Sequence, residues 1–252
     1  MPFAGRGILL DIEGTTSAIA YVYDVMFPYA RTGLDGYLES HWGEAPLAEA
    51  SEQIAQDAGH ESLAAWSQTG DAQQRVRDEA IRLMDADIKA TGLKQLQGLI
   101  WEAGFKSGEL RAHVFPDVPP ALRAWQVAGM DLRIYSSGSV HAQQLFFGHV
   151  DLDDESSKDG KSGSLLPYFS GHYDTTTGPK REAASYKKIA DDWQLPAADV
   201  LFLSDVVAEV DAAREAGMAT SLVLRDGNAP VEDVNGHATI RSFDELTITA
   251  LA

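Results

Sequence analysis

The chain has 252 residues, 44% of them apolar, enough to bury a sizeable core in one large domain or two small ones. With 38 acidic against 20 basic side chains the formal net charge is −18, so the long-range field repels polyanions and argues against nucleic acid or anionic membrane as partners. There is no cysteine, which excludes disulfides, thiolate nucleophiles and cysteine-ligated zinc.

The first apolar stretch, Gly7 to Ile12, is too short for a signal peptide and ends in acids, and no run approaches the roughly 20 residues that span a bilayer. A cytoplasmic protein is expected. Ile8-Leu9-Leu10 stops abruptly at Asp11 and reads as a buried strand. From Tyr21 to about Arg111 strand-like runs vanish and helical periodicity takes over. Val76, Ala80, Leu83, Met84 and Ile88 keep one apolar stripe, and Leu96, Leu99, Ile100 and Ala103 keep another, so this span reads as an inserted helical unit. After Pro116-Asp117, with Pro119-Pro120 in its first turn and Gly129 beyond its last, a helix leads into a second strand, Leu132 to Tyr135. A helix from Val140 to Phe147 follows, then a solvated loop from Asp151 to Ser164. Lys180 is expected at the start of a helix through Tyr186 to Trp193. Val200 to Leu203 is a third strand, followed by a helix from Val206 to Ala216 that closes at Gly217, and then by a strand over Ala219 to Leu224. Strands alternating with helices of this length predict an α/β fold, a Rossmann-like, mostly parallel sheet whose strand C-termini open on one edge, where such sheets bind ligands.

Three polar clusters fall at strand ends on that edge, and Lys180 is a further candidate. Asp11 and Glu13 precede Gly14; the pair suits a strand-ending turn, and it equally suits a carboxylate nucleophile with an acid–base partner two residues on. Ser136-Ser137-Gly138-Ser139 opens a helix, as a cap or as a phosphate cradle. Lys180 could neutralise a phosphate oxygen. Asp205 could cap the next helix or, with Asp11, hold a hard divalent cation. Each cluster alone has an ordinary structural reading; their joint arrival at one edge favours chemistry. A carboxylate about 4 Å from a phosphate meets roughly 4 kcal/mol of repulsion per charge pair at an effective dielectric near 20, so cations are required. Magnesium and Lys180 would supply that charge.

Other patterns carry less. Gly160-Lys161-Ser162 lacks the first glycine and the strand of a phosphate-binding P-loop. Asp151, Asp153 and Glu155 start like a calcium loop, but Ser156 stands where the glycine belongs. Ser185 and Lys188 have Ser-x-x-Lys spacing with no supporting motif. The seven histidines are scattered, so a zinc site is not expected.

Taken in order, Asp11-Ile12-Glu13-Gly14-Thr15-Thr16, Ile134-Tyr135-Ser136-Ser137-Gly138-Ser139, Gly178-Pro179-Lys180 and Leu203-Ser204-Asp205-Val206 resemble the four motifs of haloacid-dehalogenase phosphatases. Glu13, Phe27-Pro28-Tyr29, Lys94-Gln95-Leu96-Gln97-Gly98 with Trp101, and the Ser-Ser-Gly-Ser loop narrow the likeness to the enolase-phosphatase E1 (acireductone synthase) family, over nearly the whole chain. That resemblance implies a catalytic core over residues 1–20 and 112–252 with a helical cap over 21–111 that closes to exclude water and choose the substrate. It also implies one magnesium ion per subunit and a small phosphorylated diketone, 2,3-diketo-5-methylthiopentyl-1-phosphate, enolised and then dephosphorylated to the acireductone in methionine salvage. Carried onto this sequence, Asp11 is nucleophile and metal ligand, Glu13 lends its backbone carbonyl to the metal and its carboxyl to acid–base work, Asp205 completes the protein ligands, and Ser136, Ser137 and Lys180 hold the substrate. A monomer is expected. Another capped phosphatase of the same superfamily, acting on a different small phosphate ester, and a non-catalytic phosphate-binding protein are the competing readings.

Overall fold

The computed structural model describes residues 1–68, 70–152 and 163–250, so the Gly160-Lys161-Ser162 pattern and most of the expected loop from Asp151 to Ser164 lie outside the described residues. The chain divides into two compact units, one of Met1–Val22 with Arg111–Ala252, the other of Tyr23–Leu110.

The first unit opens with β1 (Pro2–Gly5) and β2 (Gly7–Leu10), followed by the single turn α1 (Ile19–Tyr21). The second unit carries α2 (Phe27–His41), α3 (Ala45–Asp57), α4 (Leu63–Trp66), α5 (Ala72–Asp85) and α6 (Thr91–Ser107). The first unit resumes with α7 (Val118–Val127), β3 (Asp131–Tyr135), α8 (Val140–Gly148), β4 (Gly171–Tyr173), α9 (Ala183–Trp193), β5 (Val200–Ser204), α10 (Val207–Glu215), β6 (Ala219–Val223), β7 (Ala238–Ile240) and β8 (Thr247–Ala250).

Six strands form one parallel sheet in the order β4-β3-β2-β5-β6-β7, and β1 pairs β8 in a separate parallel ribbon. The α/β, Rossmann-like architecture is as the alternating pattern predicts. From β2 the chain winds outward through β3 and β4, then returns to the other side of β2 as β5 and winds outward through β6 and β7. The direction reverses between β2 and β5, which makes their C-terminal ends the topological switch point where open α/β sheets bind ligands. Both strands are buried on both faces, as their unbroken apolar runs require: Ile8, Leu9, Leu10 and Val200 to Leu203 are fully enclosed. Leu9, Phe202, Tyr135, Tyr186 and Ile189 meet in the core against β6 and α10.

The helical unit has its own core of Ala30, Leu34, Leu38, Leu47, Ile54, Val76, Ala80, Leu83, Leu96 and Ile100. The α5 stripe holds through Val76, Ala80, Leu83 and the partly buried Met84. Ile88, its expected last member, lies beyond the helix, where Asp87 turns into the left-handed region (φ 50°), and is 43% exposed. A second difference concerns Lys180: α9 begins at Ala183, so Lys180 sits in the turn before the helix and not in its first turn.

Candidate active site

β2 delivers Asp11 to the centre of the edge, and a tight turn follows it. The N–H groups of Thr15, Thr16 and Ser17 all point to the carbonyl of Ile12, and Gly14 N–H donates to Ser17 O. Gly14 has φ +69°, and a Cβ there would collide with the Asp205 carboxylate, so only glycine lets the turn and Asp205 lie this close. Asp205 leaves β5 one residue past its end. It does not cap α10: the N-cap is Val206, whose N–H is taken by Ser204 Oγ at 3.2 Å.

The Asp11 carboxylate is buried and held by three donors. Oδ1 accepts from Ile12 N–H at 2.8 Å and from Lys180 Nζ at 2.7 Å, and Ser204 Oγ stands 3.1 Å from Oδ2. Lys180 Nζ also lies 2.7 Å from Glu209 Oε2, and Ser204 Oγ is 2.9 Å from the same atom. A serine hydroxyl has one proton, so Ser204 donates to one carboxylate at a time. Lys180 is placed by three hydroxyls that fasten the chain around it: Tyr135 OH donates to Gly178 O, Ser185 Oγ to Pro179 O and Tyr186 OH to Lys180 O. The Ser185 of the Ser-x-x-Lys spacing thus has a structural task.

Burial pulls the Lys180 ammonium toward its neutral form, but Asp11 and Glu209 more than offset this and hold its pKa above the usual lysine value. Burial, and after it the charge of Asp11, push the Glu209 carboxyl up, against the pull of Lys180 and Ser204. For Asp205, burial first and Asp11 second push the pKa up to about 7.

Ser136 and Ser137 follow β3, the strand beside β2. Ser136 is buried with its Oγ accepting from Gly138 N–H, while Ser137 is exposed. Ser139 is the α8 N-cap, accepting from Ala142 N–H, so the capping alternative describes Ser139. Among the described residues no hydrogen bond joins Ser136 or Ser137 to Asp11 or Lys180; they share the sheet edge with them. Glu13 is half-buried and pairs with Ser17 in a short bridge.

The residue that motif reading missed is Glu209. It lies four residues after Asp205, in the first turn of α10, so the Asp-x-x-x-Glu spacing was the available signal.

A turn-borne carboxylate aimed from the central strand, a buried ammonium on it and a second acid two residues on define a phosphoryl-transfer class of hydrolase. A family model for haloacid dehalogenase-like hydrolases matches residues 6–217. Enolase-phosphatase E1 of Pseudomonas aeruginosa strain UCBPP-PA14 is 44% identical over 246 residues, covering 96% of this chain and 98% of that protein. The Synechococcus elongatus enolase-phosphatase E1 is 45% identical over 251 residues, covering 98% and 99%. Among solved structures, the UTR4 protein of Saccharomyces cerevisiae superimposes with a TM-score of 0.79 at 33% identity, over 96% of this chain and all of that one. The chain belongs to the haloacid dehalogenase-like hydrolases and, within them, to the enolase-phosphatase E1 family.

Proposed function

We propose that the chain converts 2,3-diketo-5-methylthiopentyl-1-phosphate to its enol and then, with release of phosphate, to the acireductone of methionine salvage, as a cytoplasmic monomer. The observation that carries the phosphatase half is the Lys180 ammonium 2.7 Å from Asp11 Oδ1 at the switch point of the sheet. The enolase half rests on the membership of the E1 family. In this reading the unit Tyr23–Leu110 is the cap that selects the substrate.

The residues at the edge suit magnesium. Asp11, Glu13, Asp205 and Glu209 offer hard oxygen donors, and when ionised their four negative charges face the one of Lys180. Burial first and the charge of Asp11 second hold the Asp205 pKa high, and a cation between the two carboxylates would offset both. Among the described residues no three His, Cys, Asp or Glu side chains gather as a ready cage. A set of two carboxylates, Asp11 and Asp205, with the carbonyl of Glu13 does not need one. Bound there, magnesium would polarise the phosphoryl group and the diketone.

For dephosphorylation, Asp11 attacks phosphorus, forming an aspartyl-phosphate as the bond to the ester oxygen breaks. Glu13 gives the leaving oxygen its proton, then takes one from the water that hydrolyses the aspartyl-phosphate. Lys180 balances charge on the transferring oxygens, and Ser136 and Ser137 bind the phosphoryl group. For enolisation, Glu13 is the candidate base that removes a proton from the phosphate-bearing carbon. Glu13→Gln tests this with enol absorbance and phosphate followed separately: enolisation should fall about 10²-fold or more, and unchanged enolisation removes Glu13 as the base. A panel of small phosphate esters tests the substrate; comparable turnover of an unrelated ester would favour a more general phosphatase.

A further inference from the structure

The loop after β6, from Leu224 toward β7, takes no part in the four motifs, yet two of its side chains reach the nucleophile turn. Asn228 Nδ2 donates to Gly14 O at 2.8 Å, and Arg225 Nε donates to Thr15 O at 3.0 Å. The next carbonyl, Thr16 O, accepts from Phe115 N–H at 3.0 Å, so three successive carbonyls are tied from outside the turn. Arg225 is itself locked. Its Nη1 contacts both Asp117 oxygens at 2.9 and 2.8 Å and Arg241 O at 3.1 Å, and its guanidinium lies 4.4 Å from the ring centre of Phe115 and 4.7 Å from that of Phe243. Asp117 is anchored in turn by Phe243 N–H and Ser242 Oγ. A guanidinium stacked between two rings and paired with a carboxylate is rigid, and a rigid donor fixes the carbonyl it meets.

These contacts bear on catalysis through Gly14. Its left-handed backbone brings the turn against the Asp205 carboxylate, and its orientation sets where Asp11, Glu13 and Asp205 stand relative to one another. We propose that Arg225 and Asn228 are positioning residues for the phosphoryl-transfer site, a clamp that holds the nucleophile turn in the geometry its acids need. The proposal deepens the phosphatase reading and rests on it. A misplacement of about 1 Å at such a site costs up to roughly a hundredfold in rate. Ser136 and Ser137 follow β3 and Lys180 sits in the turn before α9, so the substrate-binding groups do not hang on Asn228.

Asn228 is the better probe because it is half-buried in a surface loop, whereas replacing Arg225 strands Asp117. Asn228→Ala and the isosteric Asn228→Asp both remove the donor. Steady-state kinetics on the diketone phosphate with magnesium should show kcat lowered by about tenfold to a hundredfold and KM within about twofold of the parent. Hydrogen exchange read by mass spectrometry should rise in the segment spanning residues 14–17 and stay unchanged in β5 and α10. Parent-like kcat with parent-like exchange at the turn in Asn228→Ala would overturn the clamp, as would exchange raised evenly through the whole unit. If the parent protein releases no phosphate, the functional reading fails, and the exchange measurement still decides the clamp.

Discussion

Four side chains close a ring at the site: Lys180 between Asp11 and Glu209, with Ser204 across from it. Three of its members were within reach of the sequence. Asp11 and Lys180 stand in motifs with fixed neighbours, and Glu209 was marked by its spacing from Asp205, although a glutamate on a helix reads as solvated until burial is known. The role of Ser204 depends on distances that no pattern encodes, and so does that of Asn228. Replacing Lys180 by Met removes the positive charge beside Asp11 and should lower kcat by about 10²–10³-fold, measured as phosphate release at saturating substrate. A loss of less than threefold would reduce Lys180 to a structural partner, and one confined to KM would leave it substrate binding alone.

At the scale of elements, the strands that form the site were the most legible. β2 and β5 are apolar runs ending at polar residues, because a strand covered on both faces needs no alternation; β3 and β6 are interrupted by Arg133 and by Thr220 and Ser221 but keep enough apolar residues to be read. β1, β4, β7 and β8 left little trace: they are three or four residues long, and β1 alternates exposed with buried around two ends that are Pro and Gly. Helix packing hides a different constraint. Gly92, in the first turn of α6, lies so close to α3 that a Cβ would press into the backbone of Ile54. Gly92→Ala should therefore destabilise the helical unit by about 1–3 kcal/mol despite the better helix propensity of alanine. Urea unfolding followed by the tryptophans checks this, and a stabilised variant would mean that α3 and α6 can part without cost.

For the whole molecule, two histidines set a pH dependence. Burial lowers the pKa of His113 and of His172 below the usual 6.5, and Gln143, whose amide N–H groups go to Gly138 O and Tyr173 O, presents its oxygen to His172 Nδ1 at 3.2 Å. That oxygen fixes a ring proton on Nδ1, and burial favours the neutral form of the ring. The unfolded chain then binds more protons, so this share of stability is full above pH 6.5 and is lost as the pH falls through the lowered values. Comparing urea midpoints at pH 7.5 and 5.5, His172→Gln should lose less on acidification than the parent; an equal loss would assign the acid sensitivity elsewhere.

The net charge of −18 gives the same molecule a field that repels its own phosphorylated substrate, so the local cations must prevail at the site. The direct measurement supplies 2,3-diketo-5-methylthiopentyl-1-phosphate to the parent protein and to Asp11→Asn, with magnesium or with a chelator, and follows enol absorbance and free phosphate together. The expected result is an enol signal accompanied by phosphate from the parent with magnesium, and no phosphate with the chelator or from Asp11→Asn. Phosphate released by Asp11→Asn at the parent rate, or released with no enol signal, would contradict it.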